Sequence, residues 1–120
     1  MNRKAKGDRA EGLACRHLEQ RGLVLLERNY RCRGGEIDLI MGEGDTLVFV
    51  EVRYRRYTAF GRAAETVSAA KRSRLVQCAG RYLTQHRAWH RPARFDVVCI
   101  EGELRREGVE WLRDAFRADA

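Results

Sequence analysis

Residues 35–56 read GEIDLIMGEGDTLVFVEVRYRR. Two apolar runs flank a Gly-Glu-Gly-Asp turn signal at 42–45, which predicts a β-hairpin. Residues 36–41 alternate, placing Ile37, Leu39 and Met41 on one face and Glu36, Asp38 and Ile40 on the other. Residues 46–54 form the partner strand, with Leu47, Phe49, Glu51 and Arg53 on one face and Val48, Val50, Val52 and Tyr54 on the other. If Asp38 and Glu51 point to the same side, pairing brings two carboxylates together beside one cation. Such carboxylates repel each other. A divalent cation resolves the conflict: Mg²⁺, or Mn²⁺ in its place, takes oxygen ligands from one or two carboxylates and leaves room for water and phosphate. The plain alternative is a cross-strand ion pair between Glu51 and Arg53 or another arginine.

Around the hairpin the periodicity predicts five more elements. Residues 5–21 carry Ala10, Leu13, Ala14, His17 and Leu18 at helical spacing, with Gly22 as the stop. Residues 23–28 read as a strand, followed by a turn-rich segment, NYRCRGG, at 29–35. Residues 57–64 read as a loop, and 64–88 as a second helix with Val67, Ala70, Leu75, Val76, Cys78, Ala79, Tyr82 and Leu83 on its apolar face. Residues 94–101 (RFDVVCIE) predict a strand, and 109–116 a last short strand or mixed element. The order α-β-β-β-α-β-β suits an α/β domain whose mixed β-sheet is flanked by helices. The 120 residues hold no repeat, no linker and a single proline, Pro92, so one domain over 1–120 is expected.

Composition narrows the function classes. The hydrophobic fraction of 44% excludes general disorder, and no apolar run is long enough to span a membrane. The polar N-terminus lacks a secretory h-region, so a cytoplasmic protein is expected. Net charge is +7, and 21 of the 24 basic residues are arginine, the side chain best shaped for phosphate. GC-rich coding would enrich arginine equally, but a positive potential favours polyanionic partners in either case. Cys15, Cys32, Cys78 and Cys99 lack zinc-site spacing and read as free thiols, with Cys32 in an exposed turn and the others buried. His17, His86 and His90 suggest neither a metal site nor a triad. Asp96 is expected either to pair with Arg94 or to line the site. Trp89 and Trp111 read as packing residues in preference to base-stacking ones, and Gly34-Gly35 either as a plain turn or as a place for close phosphate approach.

With ERNYRCRGG at 27–35 and RFDVVCI at 94–100, the hairpin resembles the YraN-like family of small bacterial proteins. That family is grouped with restriction-endonuclease-like and Holliday-junction-resolvase-like nucleases, and the likeness runs from about Gly7 to Phe116. The resemblance implies a PD-(D/E)-x-K core. It implies that Asp38 and Glu51 bind metal, that Arg53 stands where the motif has lysine, and that Glu11 in AEGLA supplies a helix glutamate. Arginine cannot shed its proton and serve as a general base, but it can hold phosphate. Lys71 is a substitute cation or a solvated helix lysine. Arg55, Arg56 and Arg62, interleaved with Tyr54 and Tyr57, are phosphate and stacking candidates or a solvated loop. The resulting expectation is Mg²⁺-dependent phosphodiester hydrolysis of DNA, branched DNA in particular, with RNA as the other polyanion. The alternatives are a nucleic-acid-binding module of nuclease ancestry and a protein-interaction factor with a vestigial site. Resolvase-like relatives suggest a homodimer, though the sequence marks no seam.

Overall fold

The hairpin at 35–56 lies within a five-stranded mixed sheet with a helix on each face. The computed structural model describes residues 3–55, 67–101 and 108–118. The chain runs α1 (Arg3–Glu19), β1 (Val24–Cys32), β2 (Gly35–Glu43), β3 (Thr46–Arg55), α2 (Ala69–Gln85), β4 (Ala93–Glu101) and β5 (Val109–Phe116). The strands lie side by side in chain order. All neighbours are antiparallel except β3 and β4, which are parallel and joined through α2, as a parallel pair requires a crossover. Two-residue turns close the β1–β2 and β2–β3 hairpins, and Gly34 and Gly44 supply their positive φ of 82° and 58°.

The central strands are buried on both faces, which is why they read as nearly unbroken apolar runs. Leu47 and Phe49 of β3 and Phe95, Val97 and Cys99 of β4 pack with Leu75, Cys78, Ala79, Tyr82 and Leu83 of α2. On the other face Val48, Val50, Val98 and Ile100 pack with Ala10, Ala14, Cys15 and Leu18 of α1. Each buried Val, Leu or Ile contributes about 1.5–3 kcal/mol. Asp96, the fully buried acid of β4, is consumed by structure. It accepts from Arg94 Nε at 3.0 Å, Trp111 Nε1 at 2.9 Å and the Asp114 amide at 2.8 Å, and so anchors β5. No helix among the described residues is long and apolar enough to cross a membrane.

Four expectations need correction. The first strand does not end at 28 but continues through Cys32, because the edge strand tolerates Asn29 and Arg31 on its exposed side. Asn29 does hold the positive φ of a turn residue, 53°, yet it stays within the ladder. The second helix begins at Ala69, after Ser68, whose Oγ accepts from the Lys71 amide at 3.1 Å and caps the first turn. Ile37 does not share a face with Leu39 and Met41. It packs with Ile40 on the α2 side, while Leu39 and Met41 face α1, so the alternation breaks at Asp38. Cys32 and Cys78 are not free thiols. The longer β1 brings Cys32 against the middle of α2, where it forms a disulfide with Cys78 at a Cα–Cα distance of 5.5 Å. Cys15 and Cys99 are buried thiols that take part in no disulfide, as the sequence suggests.

Candidate metal centre

The break at Asp38 creates the site. The β2–β3 ladder runs from Glu43–Thr46 to Leu39–Val50 and stops there. Beyond it the strands part, and Asp38 Oδ2 accepts from the Val52 amide at 2.8 Å, filling the gap with a side chain where a backbone bond would otherwise form. Glu51 projects from β3 on the α2 side, is only 5% exposed, and lies close enough to Asp38 for the two carboxylates to repel. Lys71, in the capped first turn of α2, places Nζ 3.6 Å from Glu51 Oε2. That oxygen is buried and makes no hydrogen bond.

Asp38 also belongs to a second group. Carboxylate oxygens of Glu11, Glu36 and Asp38 lie within 4.8 Å of one another, each from a partly buried side chain. Glu11 comes from α1, whose apolar stripe of Ala10, Ala14 and Leu18 sits on the sheet and turns Glu11 inward. Arg28 of β1 pairs with it at 3.6 Å. Four carboxylates therefore meet where two helices and two strands converge.

Their electrostatics follow from that crowding. Burial, and then the charge of Glu51, push Asp38 up to about 7. Burial, and then the charge of Asp38, push Glu11 up to about 7, against the pull of Arg28. Burial also raises Glu51, opposed by Lys71 and, to a smaller degree, by Arg53. Arg28 pairs with Glu11, Arg31 with Glu36 at 3.5 Å and Lys71 with Glu51, so burial rather than an excess of negative charge is the main cause of the raised values, and a cation bound among the carboxylates would compete with their protons.

The family model described as "Uncharacterised protein family UPF0102" matches residues 10–100. The chain belongs to this family. A UPF0102 protein of Nitrosococcus oceani is 51% identical over 116 residues, covering 96% of this chain and 94% of its own. One from Nitrosomonas europaea is 54% identical over 111 residues, 92% of each chain, and one from Stutzerimonas stutzeri 48% over 116 residues, 96% and 97%. The UPF0102 match spans all four carboxylates and Lys71.

Within this UPF0102 chain, the structure brings together Glu11, Asp38, Glu51 and Lys71, with Arg53 on the same β3 face as Glu51; Lys71, which the sequence offers either as a substitute cation or as a solvated helix lysine, pairs with Glu51. Arg55 ends β3, and Arg56, Arg62 and Tyr57 lie outside the described residues. Two members were missed. Glu36 had been placed on the strand face of Asp38 but not assigned to the site. Arg28 carried no local signal at all, since its partner is 17 residues away on another element. Trp89, expected to pack, is instead 65% exposed, whereas Trp111 is held by Asp96 as a packing residue.

Proposed function

We propose that this protein is a divalent-metal-dependent phosphodiester hydrolase of the restriction-endonuclease-like class, acting on DNA and best suited to branched forms. One observation carries the reading. Asp38 and Glu51, from adjacent strands, meet where the β2–β3 ladder opens, and Lys71 stands 3.6 Å from Glu51.

The donor set fits Mg²⁺ or Mn²⁺. All the ligand atoms are hard carboxylate oxygens, those of Glu11, Glu36 and Asp38 lie within 4.8 Å of one another, and Glu51 Oε2, on the strand beside Asp38, is a buried acceptor without a hydrogen bond. Asp38 and Glu51 would hold the ion, with Glu11 and Glu36 closing the other side. Such an ion supplies Lewis acidity, making a bound water a better nucleophile and offsetting charge on the phosphodiester.

The chain's own residues do the rest. The Val52 amide fixes the Asp38 carboxylate, so one oxygen is oriented before substrate arrives. Lys71 answers the difficulty posed by Arg53. The motif's lysine is absent from β3, but α2 delivers an ammonium to the same carboxylate. Either cation can hold the attacking water, but only an ammonium can also exchange a proton with it. Arg53 then serves as a phosphate contact through its planar fork. In hydrolysis the water oxygen bonds to phosphorus as one P–O ester bond breaks, the departing ester oxygen leaves as a hydroxyl, and the proton lost by the water balances the one that oxygen gains.

A second reading, a module that binds nucleic acid without cutting it, is favoured by Arg53 standing at the lysine position. The two are separated by incubating end-labelled single-stranded, duplex, flap and four-way-junction DNA with protein in Mg²⁺ or Mn²⁺. Hydrolysis by wild type that Asp38→Asn and Glu51→Gln abolish is the expected result. Retention of labelled DNA without any product would establish the module instead.

A further inference from the structure

Away from the carboxylates, toward the other end of β3 and α2, lies a cleft of about 690 Å³. Its floor is apolar, made by Phe49, Phe95 and Phe116 of the sheet and by Val76 and Leu83 of α2. A neighbouring depression of about 430 Å³ begins at Ala69 and Arg72 and shares Val76, Arg117 and Ala118 with the cleft. The two form one groove along α2 from residue 69 to residue 83, about 21 Å at 1.5 Å per residue. It begins on the helical turn that carries Lys71.

Trp89 stands at the far end. It is 65% exposed, which is unusual for so large an apolar side chain, yet it is fixed in place. Its Nε1 donates to Thr84 Oγ1 at 2.9 Å, and the edge of its ring rests on α2 at Gly80. A rigid indole with one face open is a stacking platform. The groove is also cationic. Arg72, Arg91, Arg94, Arg113 and Arg117 line it with Asp114; Glu43 pairs with Arg94 and Arg113, Asp96 with Arg94, and Asp114 with Arg117, so the charge open to a ligand lies chiefly on Arg72 and Arg91. Several of these guanidiniums are oriented by bonds that use only part of their five donors. Arg91 Nε reaches the Asp45 carbonyl at 2.9 Å, Arg72 Nε the Val67 carbonyl at 3.0 Å, and Arg113 Nη2 pairs with Glu43 at 2.9 Å.

We infer that this groove binds a single-stranded stretch of nucleic acid, with a base stacked on Trp89 and the adjoining phosphates on the arginines. The stacking face requires an unpaired base, because duplex bases are already stacked. Cations spread along the groove, rather than gathered at one point, match a polymer better than a lone nucleotide. The inference rests on nucleic acid being the substrate class proposed above. It adds a second hold on that substrate and a reason to prefer DNA with single-stranded arms.

The test is a titration of 5′-labelled 12-mer oligothymidylate and oligouridylate in EDTA, where no cleavage occurs. Tryptophan fluorescence and label anisotropy are read together. Binding to either oligomer should quench the fluorescence. Trp89→Ala should weaken binding about 5- to 150-fold, the range of one lost stacking contact, while Trp89→Tyr retains most of it. With three phosphates held, affinity should fall roughly 20-fold between 50 and 200 mM salt, and Arg91→Gln should flatten that dependence. Asp38→Asn should bind like wild type. The inference is overturned if Trp89→Ala binds as tightly as wild type, if a duplex of the same length competes equally, or if Trp89 proves to mediate a concentration-dependent dimer that oligomers leave unchanged. Trp89-dependent binding by a protein that cuts nothing would defeat the hydrolase reading alone and leave the groove standing.

Discussion

Asp38 performs two tasks with one carboxylate. It replaces a backbone acceptor for the Val52 amide, and it is the member common to both acidic groups. Its pKa near 7, like that of Glu11, lies well above the usual carboxylate value. A carboxyl raised in the folded state favours folding while it is protonated. That contribution is complete below about pH 4 and is lost as pH rises through 7. Metal-free protein should therefore lose stability between pH 4 and 7 from these groups. Asp38→Asn keeps an oxygen for Val52 and presents an amide to Glu51, so it should stabilise the metal-free protein at pH 8 by on the order of 1–3 kcal/mol and change little at pH 4. Urea denaturation at the two pH values measures this. Mn²⁺ competes with the same protons, so the rise in wild-type melting temperature on adding it should be larger at pH 8 than at pH 5.5, and should vanish in Asp38→Asn. That Asp38 and Glu51 lie on paired strands was legible in the sequence, but their meeting depends on the break in alternation at Asp38, which periodicity does not predict. Glu36, Arg28 and the Glu51–Lys71 contact depend on where strands diverge and on the rotation of α2, which local periodicity does not encode.

At the scale of elements, α2 is tied to the sheet in two ways that hold Lys71 in place. Ser68 caps its first turn, and the Cys32–Cys78 disulfide pins its middle to the end of β1. The linked cysteines are 46 residues apart, and a loop of that length gives an entropic contribution of about 4 kcal/mol in the chain model, with 2–4 typical. Cys32→Ser with Cys78→Ser should lower unfolding free energy by about 2–4 kcal/mol, and wild type in strong reductant should match the double variant. Asp96 plays the comparable role for β5. Removing it strands Arg94 in a largely buried setting, so Asp96→Ala should cost about 3–5 kcal/mol in urea denaturation while the surviving folded protein still responds to Mn²⁺. The strands of the centre were the most legible elements, since burial on both faces writes an apolar run. The edge strand β1 was read four residues short. Its exposed side carries Asn29 and Arg31, and only Tyr30 in that stretch is buried. The disulfide was missed because a reducing cytosol was assumed, in which thiols stay unpaired, and because Cys32 and Cys78 are 46 residues apart with no local signal to join them.

At the scale of the whole molecule, a net charge of +7 surrounds a pocket of buried acids. A positive surface favours polyanionic partners and crowded acids favour a cation, so on the proposed reading metal and nucleic acid would meet inside the site. The hydrolase reading then turns on one substitution of position: an ammonium supplied by α2 in place of one on β3. Single-turnover cleavage of a labelled branched DNA in Mn²⁺ by wild type, Lys71→Met and Arg53→Met compares the two cations directly. Loss of a group acting on the reacting water should slow cleavage by about 100-fold or more in Lys71→Met. Loss of a phosphate contact should weaken binding in Arg53→Met and leave the rate at saturation within about tenfold. A wild type that cuts, with Lys71→Met cutting equally fast, or a wild type that cuts no substrate, would contradict the account.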